Sequence, residues 1–503
     1  MASFFKRFLI NPIVDFWNWL FHRNRGVEYP SVNTVFPEET TRQWSTMGWT
    51  FIPGREKIEN NRSVLRTIDP EAVEHLTTAI PYLKECGVTM LLSRIPHLTY
   101  SGMMTILDTC LENGVKFVAW GYELSRIHNI EKSAFKRNGL SEKEAAVEAG
   151  KKVEELIAHE AFHAIYLYDE PTFSLDDPMS SYFEIARDHK KFNYLARKYG
   201  KKMYVNLFPI CATDKQLGIG TTPFARGTFQ SLSGDKDEFS DSGKVLETYS
   251  DYINTFLPYT DILSSDFYPV RMHDNENYLV VHPKLWYKHL ATMLEKHKEH
   301  PEKEFRLYLQ TARFGEEYPV LTENSLRLQS YANMMIGVQG LQYWSMMDVS
   351  EQKTGSVEIN QTHFDTPFSL DGTPNETTFN IVSDLNNSEK FQTYTKILPN
   401  ISIDSLYYFD KSDLYAYDTE FDELYEEINE PRLAQYVKSL NNPCLVSFAE
   451  NKCMILNLSM INKMTVKLQP DLYVIEGKTS TPTNNHGGKY TIQPGDLIIV
   501  SKL

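Results

Sequence analysis

The chain reads as a (β/α)8 barrel followed by an antiparallel β-sandwich, and three observations lead there. Eight short apolar runs alternate with helical patterns over the first three quarters of the sequence. The runs are nearly continuous in apolar residues, which suits strands of a parallel sheet buried on both faces. From about residue 400 the helical period gives way to short alternating strands separated by turns. A doubly wound open sheet would satisfy the first two observations equally, because a sequence does not display closure. The expected division is an apolar N-terminal segment over 1–40, a barrel over 41–399 and a sandwich over 400–503.

The strand runs, in order, begin with Trp49-Thr50-Phe51-Ile52, Val88 to Leu92, Val115 to Trp120 and Phe162 to Asp169. Met203 to Phe208, Ile262 to Tyr268, Phe305 to Gln310 and Leu341 to Trp344 complete the eight. Helix signals fall between them. Asp69-Pro70 supplies a cap and an N1 proline, and Cys86-Gly87 and Asn113-Gly114 close two helices. Ser141 with Glu144 is a capping box opening a helix that carries Val147, Val153 and Leu156 on one face. Thr322 starts a helix with Leu326, Ala332 and Ile336 inward, and a helix from about Thr377 to Leu398 finishes the barrel. Past residue 400, runs such as Cys444 to Phe448, Met454 to Leu458 and Leu497 to Val500 alternate with turns such as Pro494-Gly495-Asp496. The acidic stretch Asp418 to Glu430 reads as a solvated loop or edge.

Composition narrows the class. With 503 residues, 42% of them hydrophobic, the chain can bury a large barrel core and a second domain. A net charge of −15 argues against a nucleic-acid partner, since phosphate binding needs a basic surface. The five cysteines show no paired spacing, and Cys86, Cys110 and Cys211 fall in patterns that read as core, which argues against structural disulfides. Residues Phe8 to Phe21 follow Lys6-Arg7 as in a signal peptide, but Asn11, Pro12, Asp15 and Asn18 interrupt them and no small-residue cleavage site follows. An amphipathic helix there, with Ile13, Phe16, Trp17 and Leu20, would pack against the fold or make a peripheral membrane contact.

The chemistry is most legible at Tyr166-Leu167-Tyr168-Asp169-Glu170-Pro171, where an apolar strand climbs into two carboxylates and is stopped by proline. Acids at the mouth of a buried strand are costly unless bonded, and partial desolvation raises a carboxyl toward the range useful for general acid catalysis. The bland alternative is a strand end whose acids cap a helix or meet an arginine. Catalytic groups of such barrels gather at the C-terminal strand ends. Those ends here carry Trp120 and Tyr122, Asp169 and Glu170, Asn206, Asp266 and Tyr268, Gln310 and Arg313, and Trp344 and Asp348. Acids, amides and flat aromatics on one rim suit a sugar, whose C–H faces stack on rings while its hydroxyls meet amides and carboxylates.

The runs Phe162 to Pro171, Tyr204 to Pro209, Ser264 to Pro269 and Gly340 to Trp344 resemble a group of bacterial glycoside hydrolase-like barrels. These are distantly similar to clan A glycoside hydrolases and family 42 β-galactosidases. The resemblance spans roughly residues 40 to 400. It implies a barrel fold, a retaining mechanism, Glu170 at the strand-four acid/base position, an oligosaccharide or polysaccharide substrate and an extracytoplasmic location. No metal or organic cofactor is implied. One departure matters: clan A enzymes carry a nucleophilic glutamate at the end of strand seven, where this chain has Leu309-Gln310-Thr311-Ala312-Arg313, with Glu316 and Glu317 farther out. Asp266 is then the best-placed second carboxylate, retaining if about 5 Å from Glu170 and inverting at about 6.5–9.5 Å. A loop glutamate, or substrate assistance with Asp169 and Glu170 adjacent, are the other mechanisms open. Asp169, Trp120, Tyr122, Asn206, Tyr268, Gln310, Arg313 and Trp344 would orient the sugar. A barrel that binds carbohydrate without cleaving it is the alternative of a different class.

A competing motif lies just upstream. His159-Glu160-Ala161-Phe162-His163 fits HExxH, in which two histidines on one helix face hold zinc. The helix begun at Ser141 is expected to run out near His159, with strand from Phe162. Residues four apart in a strand lie about 13 Å apart and cannot share a metal.

Overall fold

The computed structural model describes residues 44–51, 56–59, 62–65, 70–95, 98–172, 181–220, 245–273, 277–280, 282–313, 318–347, 365–369, 371–409, 431–440, 442–476, 479–482 and 488–502. The N-terminal segment, Glu316, Glu317, Asp348 and the acidic stretch 418–430 lie outside them.

Eight parallel strands close into a barrel in chain order. They are β1 (Ser45–Phe51), β2 (Met90–Arg94), β3 (Lys116–Trp120), β4 (Phe162–Asp169), β5 (Lys202–Asn206), β6 (Ile262–Ser265), β7 (Glu304–Gln310) and β8 (Gly340–Trp344). Closure is made where Ser45 of β1 pairs with Gly340 of β8. A Cβ on Gly340 would sit 2.4 Å from the Ser45 carbonyl oxygen, so the residue at the seam has to be glycine. The open-sheet alternative is thereby excluded.

Strand alternation sorts the core into two shells. Met47, Met90, Val118, Ala164, Tyr166, Tyr204 and Tyr308 fill the barrel interior, while Leu91, Phe117, Ile165, Val205 and Leu309 face the surrounding helices. The helices start and stop for the local reasons expected. Ser141 caps Glu142–Ala158 with a capping box to Glu144, and Gly114 closes Tyr100–Asn113 in the left-handed conformation. Two expectations need correction. Val147 is exposed, and the buried stripe of its helix runs instead through Ala145, Ala149, Val153 and Leu156. The helix expected from Thr377 to Leu398 is two, Glu376–Asn387 and Glu389–Ile397, because Ser388 breaks the first and caps the second by accepting from the Phe391 N–H.

The C-terminal region holds a six-stranded and a three-stranded antiparallel sheet. Within Cys444–Ala449, Lys452–Asn457 and Leu497–Ser501, successive residues serve different cores. Val446, Phe448, Cys453, Ile455, Ile498 and Val500 pack with Met464, Val466 and Ile492 of the smaller sheet. Leu445, Met454, Leu456, Leu497 and Ile499 join the barrel's outer core. Ser447 Oγ donates to the Met335 carbonyl at 2.8 Å and the Tyr394 hydroxyl to that of Ile475 at 2.8 Å, so the sandwich is bonded to the barrel helices. No helix among the described residues is long and apolar enough to cross a membrane.

Candidate active site

The ends of β4, β5 and β6 bring three carboxyls and an amide together. Asp169 of β4 pairs in register with Asn206 of β5. The next residue, Glu170, takes a left-handed backbone, φ 46°, while its N–H still donates to the Asn206 carbonyl at 2.9 Å. Outside glycine this conformation is uncommon and costs on the order of 1–3 kcal/mol, and such strain concentrates at functional sites. It turns the chain sharply between two consecutive acids before Pro171.

Asn206 organises the group. Its Nδ2 donates to Asp169 Oδ1 at 3.1 Å and to Asp266 Oδ1 at 3.4 Å, while its Oδ1 accepts from Ser264 at 2.8 Å. The Tyr166 hydroxyl donates to Asp169 at 2.8 Å. Beneath lies a polar floor in which Tyr204 hydrogen-bonds Ser264, Tyr308 and Gln342 at 3.0, 3.2 and 2.5 Å. Gln342 returns a bond to Ser264 at 2.8 Å, so this network is tied on several sides and holds the carboxyls in place.

Electrostatics push all three acids the same way. Burial, reinforced by the neighbouring Asp169 carboxylate, lifts Glu170 to about 7, and a hydrogen bond with Asp266 partly offsets the rise. Asp266 is raised well above the usual carboxylate range by burial, by Glu170 and by Asp169. Asp169 is raised by burial, against the bonds from Tyr166 and Asn206 and the charge of Arg94. Glu170 and Asp266 share a hydrogen bond that lowers Glu170 and raises Asp266.

The acids line a cleft of about 430 Å³ shared with Asn206, Phe267, Tyr268, Tyr308, Tyr318, Arg271, His282, Cys211 and Trp344. Tyr268 and Trp344 tilt at 30° with centroids 5.6 Å apart, and the Trp344–Ser345 peptide is cis. Of the expected site residues, Glu170, Asp266, Asp169, Asn206, Tyr268 and Trp344 meet here. The other four do not line the cleft. Trp120 packs edge-on against Tyr166 at 4.7 Å, and Tyr122 is 58% exposed on the following helix. Gln310 turns its amide to the Ala312 and Pro319 carbonyls at 2.8 and 3.2 Å. Arg313 faces Asp365 at 3.9 Å. Cys211, expected in the core, is exposed as a residue on the cleft wall, while desolvation of its sulfur, with Asp266 and Glu170 nearby, raises the thiol to about 11. Tyr308 could have been read from period 2 along β7, since it lies two residues before Gln310. Arg271 lies in the short strand Val270–His273 outside the barrel, and His282 and Tyr318 lie in connections, so none of the three belongs to a barrel strand whose period would have marked it.

HExxH is not a metal site. His159 ends its helix and faces Asp108 at 3.1 Å, while His163 lies within β4, where burial drives its imidazole down to about 3. No cluster of potential metal ligands occurs among the described residues.

Comparison with known proteins places this architecture among distant neighbours. No family model matches the chain, and no curated protein does. Among the solved structures it resembles are glycoside hydrolases. Gan42B, a GH42 β-galactosidase from G. stearothermophilus, aligns with 9% identity and TM-score 0.47 over 92% of this chain and 99% of its own. A GH5_18 protein of Bifidobacterium longum subsp. longum aligns with 11% identity and TM-score 0.40 over 68% and 78% of the respective chains. The endo-β-1,4-mannanase of Thermotoga petrophila gives 8% identity and TM-score 0.34 over 90% and 92%. The likeness is one of distant fold.

Proposed function

We propose that the protein is a glycoside hydrolase acting on an oligosaccharide or polysaccharide, with Glu170 as general acid and Asp266 as the second catalytic carboxyl. The observation that carries this is Glu170 itself: a carboxyl lifted to about 7 at a barrel strand end, facing a second acid in an aromatic-lined cleft. A proton donor works best when its pKa lies near the working pH. Entry of the glycosidic oxygen would replace the Glu170–Asp266 hydrogen bond. The proton of the pair would pass to Glu170, which would give it to that oxygen, and Asp266, left ionised, would attack the anomeric carbon. A retaining scheme would hold the two carboxyls about 5 Å apart, and an inverting one would need about 6.5–9.5 Å to admit a water. Asp169 and Asn206 would fix the two acids, and Tyr268 and Trp344 would stack on the ring.

Glu170→Gln should lower turnover of an unactivated aryl-glycoside roughly 10²–10⁴-fold with folding intact. In a retaining mechanism, azide should restore activity of this variant on substrates with activated leaving groups, because azide is already an anion and attacks the trapped glycosyl-enzyme without the general base that water requires. Wild-type activity in the variant would remove Glu170 from the role. A second reading, a sugar-binding barrel without hydrolysis, is favoured by one observation: the end of β7 presents Gln310, its amide committed to loop carbonyls. Saccharide binding with no cleavage across a panel of aryl-glycosides and glycans would decide for it.

A further inference from the structure

Beneath the carboxyls the barrel interior changes character. Met47, Met90, Leu92, Val118 and Ile262 make it apolar, yet Tyr204 of β5, Ser264 of β6 and Gln342 of β8 are fully buried within the same barrel. A buried amide or hydroxyl left without a partner is costly, so such a layer persists where each donor meets an acceptor.

The protons of this layer can be followed one by one. The Tyr204 hydroxyl lies 2.5 Å from Gln342 Oε1, an atom that only accepts, so its proton goes there. With its oxygen held, Gln342 turns its amide nitrogen to Ser264 Oγ at 2.8 Å. Ser264 thus receives hydrogen from Gln342 and keeps its own proton for Asn206 Oδ1 at 2.8 Å, closer than the Tyr204 oxygen at 3.0 Å. With that oxygen engaged below, Asn206 presents its NH2 above, to Asp169 at 3.1 Å and to Asp266 at 3.4 Å. Asp169 Oδ1 also accepts from the Tyr166 hydroxyl at 2.8 Å, so a reversed Asn206 would set oxygen against an oxygen that is already accepting. Hydroxyl, amide, hydroxyl and amide follow in one direction, each fixing the next.

We propose that Ser264 and Gln342 are positioning residues, which together order Asn206 so that it meets the acids with hydrogen and not with oxygen. Neither of them lines the cleft. Their part in catalysis rests on the hydrolase reading; the order of the relay does not. A carboxylate that faces an N–H is favoured over the neutral acid, and the Asn206 bond lowers both Asp169 and Asp266 against the rise from burial. Asp266 has to be ionised to attack, so the relay supports the form that burial and the neighbouring acids oppose. Glu170 and Asp169 face Asp266, Arg94 and Tyr166 face Asp169, and Cys211, Tyr249, Tyr252 and Tyr268 also sense the Asp266 charge. Substitutions at Ser264 and Gln342 leave all of these in place, so a change in the ionisation of Asp266 would report the relay.

The test is the acid limb of the kcat/KM profile on a cleaved aryl-glycoside, where the rate falls as Asp266 gains its proton. The midpoint of that limb does not depend on how much of a variant is active. Ser264→Ala and Gln342→Leu should each move it upward by roughly half to one pH unit, with the rate above the limb lowered roughly 3–10-fold, the worth of one hydrogen bond. Ser264→Thr, which keeps the hydroxyl, should return the midpoint to its wild-type position, and Tyr204→Phe, one step farther along, should move it less. A double-mutant cycle separates positioning from packing. Asn206→Ala should move the limb itself, and adding Ser264→Ala to it should move the limb no further. A limb unmoved in both Ser264→Ala and Gln342→Leu, or a full second shift on top of Asn206→Ala, overturns the inference. If no glycoside is cleaved, NMR of isotope-labelled aspartate carboxyls reads the same titration, the Asp266 signal being the one missing from Asp266→Asn. An upward midpoint in Ser264→Ala that does not add to that of Asn206→Ala would uphold the relay while the hydrolase reading fell. An unmoved midpoint would overturn it. Cleavage with an unmoved acid limb would sink the relay and leave the hydrolase standing.

Discussion

At the N-terminal end of the barrel Glu304 lies between Lys202 and Arg306, and those two cations hold its carboxyl down to about 2 despite burial. At the C-terminal end Asp169, Glu170 and Asp266 crowd together, and all three are pushed up. The two ends belong to one sheet and are similarly buried, so solvent exclusion does not explain the difference. Partners do. The lower cluster is balanced and closes the barrel floor, with Arg306 also donating to Ser45 Oγ at 2.6 Å. The upper cluster leaves its acids facing one another beside an open cleft. A balanced buried charge is structural; an unbalanced one is held ready for chemistry at the expense of stability.

The comparison breaks first at Asp266. Asp266→Asn should abolish hydrolysis even of substrates with activated leaving groups, which need little protonation but still need a nucleophile or base. Full activity of this variant on 2,4-dinitrophenyl glycosides would remove Asp266 from catalysis and turn attention to Glu316 and Glu317. The same substitution should raise thermal stability at pH 8, because it deletes one of three mutually repelling acids.

Glu304→Gln should do the reverse. It leaves Arg306, 1% exposed, without its carboxylate and should cost about 3–5 kcal/mol in denaturant unfolding. Equal effects of the two substitutions on stability would mean that the ends do not differ as described.

The pH dependence of stability should separate the ends next. Glu304 is lowered from 4.5 to about 2, so its contribution is present above 4.5 and is lost as pH falls through about 2. Glu170 is raised from 4.5 to about 7, so its contribution is present below 4.5 and is lost as pH rises through about 7. Melting temperature should therefore decline on both flanks of mildly acid pH. Glu170→Gln should flatten the decline between 4.5 and 7, and Glu304→Gln the acid-side one; a decline between 4.5 and 7 that persists unchanged in Glu170→Gln would contradict the assignment.

The smallest effect is expected at the histidines. EDTA should leave activity unchanged, and His159→Ala should bind no less zinc than wild type. Stoichiometric zinc lost on that substitution would revive the metal reading.

How much was legible in sequence depended on whether the signal was local. The strands, the Ser141 capping box and the pair Asp169–Glu170 were readable because periodicity, capping and a proline stop act within a few residues. Closure was not, since it depends on Gly340 pairing with Ser45, 295 positions away in sequence, where a side chain would have no room. The break at Ser388 was missed because a helical period runs on both sides of it. Among the strand-end residues, Asn206 and Asp266 were found because the ends of parallel strands converge on one rim. Gln310 was expected to face ligand from the same rule, but its amide finds carbonyls in the loop instead. Arg271 and Tyr318 escaped because their contact is set by two separate connections.

The most direct test is the pH profile of kcat/KM on an unactivated glycoside, wild type against Glu170→Gln. If Glu170 is the proton donor, the wild-type rate should fall as pH rises through about 7, where that carboxyl loses its proton. The variant should be lower by roughly 10²–10⁴-fold and lack that limb. A wild-type profile flat through neutral pH, or a variant that keeps both the rate and the limb, would contradict the assignment of Glu170.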